Sequence, residues 1–301
     1  MTKQTYRNQV SLLINVIPEI AKEKCFNLHG GTAINLFIRN MPRLSVDIDL
    51  TYVEIENRET SLQNILIALN RIQENIKKVV PRVNILHKKG ANKLLISTPN
   101  AAIKVEVNSV VRGILGQPEN KILCNKAQTD FDAFCAINIV PIGQLYGGKI
   151  CAAFDRQHPR DIFDVKYLLE NEGFTAAVKE GFIFRLLSGE RPINEVLFPN
   201  LLDQRQAMVN QFTGMTDEAF SYEEYEKVRE QMIKTVHESL TTEDKQFILS
   251  VKNLNPYWRI YNFEKFPSIK WKIQNINNLK ANQSDKYQQQ FQILENKLRS
   301  I

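Results

Sequence analysis

The chain has 301 residues, 43% of them hydrophobic and 24% charged, with 39 Lys and Arg against 33 Asp and Glu for a net charge of +6. That is an ordinary globular composition, long enough for one large or two medium domains with a real core. It contains no run of about 18 apolar residues, so no membrane-spanning helix is expected. Met1-Thr2-Lys3-Gln4 carries no apolar signal core, and a cytoplasmic protein is expected. Cys25, Cys124, Cys135 and Cys151 are scattered without metal-ligand spacing, and the histidines do not cluster with them. Reduced, buried thiols are expected, and zinc is disfavoured. The charge is uneven. Residues 1–140 hold 18 Lys and Arg against 12 Asp and Glu, a balance of +6, and the remainder holds 21 of each.

In chain order, Val10, Leu12, Leu13, Val16, Ile17 and Ile20 recur at helical spacing, which predicts a helix over 5–24 with Pro18 inside it. Cys25 to Leu28 is a short apolar strand. Gly30-Gly31 breaks it, and Thr32 is placed to cap a two-turn helix over 33–38 that Met41-Pro42 stops. From Val46 to Val53 the pattern alternates, with Val46, Ile48 and Leu50 on one face and Asp47 and Asp49 on the other. A second helix is expected over 57–79, ending in Lys77 and Lys78. Strands follow at Val83–His87, Lys93–Thr98 and Ala102–Val111. In the last of these, Lys104, Glu106 and Asn108 share one face. Residues 112–132 read as an irregular connector and Phe134–Pro141 as a final strand, an edge because of Pro141.

Beyond Gly143 the periodicity becomes helical, with helices expected at 145–154, 160–170, 175–188, 201–213, 222–240, 243–252 and 284–300. Trp258 and Trp271 lie in a Pro-bearing stretch and are expected to pack. The fold class is therefore α+β. A first domain over residues 1–141 has a small mixed sheet flanked by helices, and a mostly α-helical domain follows over 142–301.

Residues 26–52 concentrate the chemistry. Two carboxylates at i and i+2 on a strand share a face and repel, so both stay ionised where a cation or water reaches them. Such hard oxygen ligands suit Mg²⁺ or Mn²⁺, which fill their remaining positions with water and substrate phosphate. The Gly30-Gly31-Thr32 turn opens a helix whose free N–H groups attract anions, and His29 adjoins it. A phosphate cradle one step from a metal pair points to a nucleoside triphosphate.

Gly30-Gly31-Thr32-Ala33 followed by Arg43-Leu44-Ser45-Val46-Asp47-Ile48-Asp49-Leu50 resembles the first motif of the AbiEii/AbiGii toxin family. These are nucleotidyltransferases of the DNA polymerase β superfamily, found in type IV toxin–antitoxin and abortive-infection pairs. Leu145-Tyr146-Gly147-Gly148-Lys149 and Arg160-Asp161-Ile162-Phe163-Asp164 resemble the family's helical lysine and Arg-Asp-x-x-Asp motifs. The resemblance implies two-metal transfer. Asp47, Asp49 and Glu106, the only acid between Glu74 and Glu119, would hold the metals. Gly30, Gly31, Thr32, Arg43, Ser45, Lys149, Arg160 and Asp164 would hold the nucleotide, with Arg43 either on phosphate or paired with Asp49. Asp161 would orient Lys149 or an acceptor group from a helical domain that completes the cleft. The partners implied are a nucleoside triphosphate, an RNA acceptor such as tRNA, and an antitoxin. Two other readings stand beside this one: transfer to a small hydroxylated molecule, and a non-catalytic nucleotide binder that partners an antitoxin. The spacing between Thr32 and Asp47 is longer than in some relatives, so base preference does not carry over.

Overall fold

In the computed structural model, which describes residues 2–301, the chain divides into two compact units. The first comprises the residues up to Pro141 together with Gln206–Ala219, and the second comprises Ile142–Arg205 and Phe220–Ile301.

The first unit is built on a seven-stranded mixed sheet. In chain order its elements are α1 (Lys3–Ala21), β1 (Phe26–His29), α2 (Gly30–Ala33) continuing as a π-helical turn over Ile34–Ile38, β2 (Asp47–Tyr52), α3 (Arg58–Val79), β3 (Asn84–Lys88), β4 (Lys93–Thr98), β5 (Ala101–Asn108), β6 (Glu119–Ile122), α4 (Asn125–Phe131) and β7 (Ala136–Ile139). The strand order is β3-β4-β5-β2-β1-β7-β6. The β2–β5 and β1–β7 pairs are parallel and the other four are antiparallel. Pairing partners on neighbouring strands share a face. Ile48, Val105 and Leu94 therefore form one registered row, fully buried, on the side where α1 packs against β5 and α3 against β4. The alternate residues of the same strands, among them Asp47, Asp49, Lys104, Glu106 and Lys93, fall on the opposite face and are partly exposed.

Several expectations are corrected. The helix after β1 begins at Gly30, so His29 holds the N-cap position and Thr32 lies inside the first turn. The stretch 112–132 contains β6 and α4. Glu119-Asn120-Lys121-Ile122 has little strand signal of its own and is extended because it pairs with β7. The last strand is not an edge: β7 lies between β1 and β6, and Pro141 falls beyond its end. The expected helix over 201–213 is reduced to α9 (Arg205–Ala207) and a π-helical turn, Met208–Phe212. The segment that follows belongs to the first unit. Leu44 N–H donates to the Met215 carbonyl at 2.6 Å, Arg43 bridges to Thr216, and the Thr216 hydroxyl donates to the Pro42 carbonyl at 2.8 Å.

The second unit is helical: α5 (Ile142–Arg156), α6 (Pro159–Asn171), α7 (Ala176–Leu186), α8 (Ile193–Leu197), α10 (Tyr222–Ser239), α11 (Thr242–Lys252), α12 (Pro267–Asn282) and α13 (Ser284–Arg299). Its core is aromatic, with Phe154 against Phe182 and Phe184 against Phe263 and Phe266. Trp258 packs edge-on against Phe247, as expected of a structural tryptophan. All four cysteines are free; Cys135 and Cys151 are buried, whereas Cys25 and Cys124 are half-buried. Burial pushes the Cys151 thiol up to about 11 and the Cys135 thiol to about 12, so neither is a nucleophile at neutral pH.

Helices α5 and α7 meet backbone to backbone. A Cβ on Gly147 would lie 2.2 Å from the Gly181 carbonyl carbon, and one on Gly181 would lie 2.1 Å from the Gly143 carbonyl oxygen. Neither neighbour is a side chain that can swing away. Gly147→Ala is expected to lower the unfolding free energy by about 3 kcal/mol, the upper end of overpacking costs. Gly90→Ala, with nothing within 4 Å of the added carbon, should change it by less than about 0.5 kcal/mol in the same urea titration.

Candidate active site

Strand pairing assembles the first cluster. Asp49 on β2 pairs with His29 on β1 and with Glu106 on β5, and Glu106 pairs in turn with Lys93 on β4. One row across the sheet thus reads Lys93, Glu106, Asp49, His29. The neighbouring row places Asp47 beside Lys104.

The glycine turn leaves β1 at the end of the first row. Gly30 has a φ of +74°, in the left-handed region, and a Cβ there would fall 2.5 Å from an Asp49 carboxylate oxygen. Glycine is thus required twice: by the backbone conformation and by the carboxylate seated against it. A Cβ on Gly31 would lie 2.7 Å from an Arg43 guanidinium nitrogen and 3.1 Å from the Ser45 hydroxyl, so Arg43 and Ser45 close over this turn. Thr32 is buried. Its hydroxyl donates to the Asp47 backbone carbonyl and lies within hydrogen-bond distance, 3.0 Å, of the Ser45 hydroxyl. The Thr32 side chain therefore ties the glycine turn to the first residue of the acidic strand. Arg43 is 3% exposed and donates to the Leu44 carbonyl at 3.0 Å.

The carboxylates are balanced by lysines. Glu106 pairs with Lys93 at 2.8 Å and with Lys104 at 2.9 Å, one through each oxygen. Partial burial works against the ionised Glu106, but these two hydrogen bonds outweigh it and hold its pKa below the ordinary value. Burial likewise opposes the Lys104 ammonium. The bond to Glu106 and the charges of Asp47 and Asp49 prevail and raise its pKa. The sequence alone does not assign Lys93 or Lys104 to the site. Lys104 had a signal, since it alternates with Glu106 on one strand. Lys93 had none, because its place depends on the β4–β5 register.

Asp47 and Asp49, two hard oxygen donors on one rigid strand face, suit a divalent cation that takes one or two carboxylates and completes its shell with water and phosphate. Glu106 joins such a set only by releasing lysines. Among the described residues, no three His, Cys, Asp or Glu side chains converge closely enough to hold a metal ion.

The second unit carries its own charged cluster. Lys149 on α5 is 7% exposed, and its ammonium lies 2.8 Å from Asp161 and 2.9 Å from Asp164, both buried on α6. Arg156 grips Asp161 with a second pair of bonds, at 2.6 and 3.1 Å. Burial penalises the Asp161 carboxylate, yet Lys149 and Arg156 overcome it and hold its pKa well below the usual carboxylate range. The cluster depends on the tight α5–α6 turn. There Pro159 starts α6, and the His158 ring nitrogen Nδ1 accepts the Arg160 N–H at 3.1 Å. Arg160 is thus placed in the first turn through its backbone. Arg156 had no sequence signal, because its partner is chosen by the turn.

The family model for the nucleotidyl transferase AbiEii toxin of type IV toxin–antitoxin systems matches residues 11–274. The chain belongs to this family. It is a nucleotidyltransferase and the toxin of a type IV pair, whose substrates include a nucleoside triphosphate and whose partner is an antitoxin. Among solved structures, it is similar to MenT4, a nucleotidyltransferase toxin from Mycobacterium tuberculosis H37Rv. The TM-score is 0.59 at 10% identity, over 91% of this chain and 94% of that one. At that identity the likeness is one of fold, and it agrees with the α+β architecture. No curated protein sequence matches the chain. Among the described residues, no helix of this AbiEii protein is long and apolar enough to cross a membrane.

Two outcomes are expected. Gly30→Ala should displace the Asp49 carboxylate and lower transfer activity about 100-fold, the scale of an ångström-level misplacement. Its thermal midpoint should fall by only a few degrees, which a melt beside the activity assay would check. Asp161 has a depressed folded pKa, so its stabilisation is full above the unfolded value of about 3.9 and is lost as pH falls below it. The stability advantage of wild type over Asp161→Asn should hold from pH 7 to about 5 and shrink below about pH 4, as read by urea titrations across that range.

Proposed function

We propose that this AbiEii toxin carries out divalent-metal-dependent transfer of a nucleotide from a nucleoside triphosphate to an RNA acceptor, of which tRNA is the family-level expectation. The observation that carries the reading is the seating of Asp49. It sits against the Cβ-less Gly30 on one side and in register with Glu106 on the other, so an anion-binding turn and a carboxylate pair share one strand row. The basic balance of residues 1–140 supports a polyanionic acceptor over a small hydroxylated molecule.

In this reading the N–H groups of the Gly30-Gly31 turn and the Arg43 guanidinium hold the triphosphate, while Thr32 and Ser45 keep the turn against β2. The acceptor hydroxyl attacks the α-phosphorus, and the bond to the leaving pyrophosphate breaks. Asp47 and Asp49 would hold Mg²⁺ or Mn²⁺, with Glu106 as a third ligand once released from Lys93 and Lys104. When bound, the cation lowers the pKa of the attacking hydroxyl and neutralises the pyrophosphate. Most of the rate then comes from positioning and charge neutralisation. On the second unit, Asp161, gripped by Arg156, orients the Lys149 ammonium. Nucleotide contact by Lys149, Arg160 and Asp164 belongs to this proposal. Retention of the whole set, Asp47, Asp49, Glu106 and Lys149, favours catalysis over a binder without turnover.

The test is a transfer assay with each α-³²P-labelled triphosphate, Mg²⁺ and total bacterial RNA. Label should appear on RNA with one triphosphate and vanish with Asp49→Ala or excess chelator. Label on polypeptide or small molecules alone would overturn the RNA acceptor. Label that persists in an Asp47→Ala, Asp49→Ala double variant would overturn the assigned site.

A further inference from the structure

The uncovered face of the sheet continues past the acid pair to the edge strand. The first row extends from Glu106 through Lys93 to Lys88 on β3, and the second runs from Asp47 through Lys104 and Leu95 to Leu86. Lys88 and Leu86 are exposed at that edge, and the side chains of Lys93, Glu106 and Lys104 are 31%, 31% and 34% exposed, so solvent reaches the face from the edge as far as Glu106. At about 4.8 Å between strands, the three steps from β2 to β3 span about 14 Å.

Two features of this face bear on what lies there. The first is direction. The glycine turn leaves β1, on one side of Asp49, whereas Lys93 and Lys88 lie on the other, beyond Glu106. In phosphoryl transfer the attacking and leaving oxygens are roughly in line. With the triphosphate tail at the glycine turn, the acceptor approaches from the lysine side. The second is charge. On strands β2 to β3, Lys88, Lys93 and Lys104 contribute +3, and Asp47, Asp49 and Glu106 contribute −3, so these strand residues sum to zero. A divalent cation on Asp47 and Asp49 brings the sum to +2.

We propose, resting on the RNA-acceptor reading above, that the open face from β3 to β5 is the docking surface for the phosphate backbone of a single-stranded RNA acceptor, with Lys88 and Lys93 as its contacts. The face becomes cationic, and able to bind, only when a divalent cation occupies the acid pair. Lys93 and Lys104, released by an incoming phosphate, would in turn free Glu106 toward that cation. Order of binding follows from the same balance: cation first, acceptor second.

The test is fluorescence anisotropy of a 5′-labelled single-stranded RNA against wild type, Lys88→Ala and Lys88→Glu, in Ca²⁺ or in EDTA, across a KCl titration. Triphosphate affinity is measured by calorimetry beside it. Lys88 is exposed on an edge strand, so these variants should fold, and a thermal melt checks that they do. The expected result is binding at least about tenfold weaker in EDTA and at least about tenfold weaker for Lys88→Glu. The salt slope for Lys88→Ala should be shallower by about 0.7, the value for one phosphate contact on a single strand. Triphosphate affinity should not change. RNA binding that ignores both Lys88 variants, or is equal in EDTA and Ca²⁺, would overturn this surface and leave RNA transfer standing. Wild type that binds no RNA in Ca²⁺ at low salt would overturn the RNA acceptor itself, and the surface with it.

Discussion

The first unit depends on a strand register that sets three carboxylates side by side. Asp47 and Asp49 alternate on β2, and Glu106 lies beside Asp49 on β5. A one-residue slip would put Ile48 and Val105 on the open face and the acids in the core, so the apolar residues beneath fix the charges above. Three like charges within two strands repel, and the fold answers with Lys93 and Lys104 on the same face. The two lysines pair with Glu106 through both of its oxygens and hold it ionised.

The surrounding structure aims these groups. Gly30 gives up its side chain so that Asp49 can sit against the turn, and buried Thr32 pins that turn to Asp47. The loop bearing Arg43 and Ser45 is fastened by Leu44 to Met215 and by Thr216 to Pro42. A segment more than a hundred and fifty residues away in sequence therefore holds a candidate nucleotide contact in place. In the second unit the principle is the reverse. Lys149, Asp161 and Asp164 are withdrawn from solvent, where removing one partner strands the others and costs about 3–5 kcal/mol. The two carboxylates hold the Lys149 ammonium between them.

Much of this was legible in the chain. The alternation from Val46 to Val53 placed Asp47 and Asp49 together on a strand, and the helical spacings located most of the helices. What was missed shares one cause. β6 has no apolar alternation because it is an edge held by β7, and β7 is interior although Pro141 suggested an edge. The local position of Thr32 suggests a cap, whereas its hydroxyl is directed at β2, a neighbour that local sequence does not specify.

By itself, then, the sequence determined the local periods, the acid pair, the glycine turn, the buried lysine helix and the family to which the motifs belong. These are properties of short segments, set by backbone preference and by the need to bury one face. Tertiary structure alone decided which lysines face Glu106, that Arg156 grips Asp161, that 206–219 returns to the first unit, and that Lys88 stands in line with the acid pair. Each is a pairing between distant segments. Register and packing select such partners, and no residue carries that choice in its own neighbourhood.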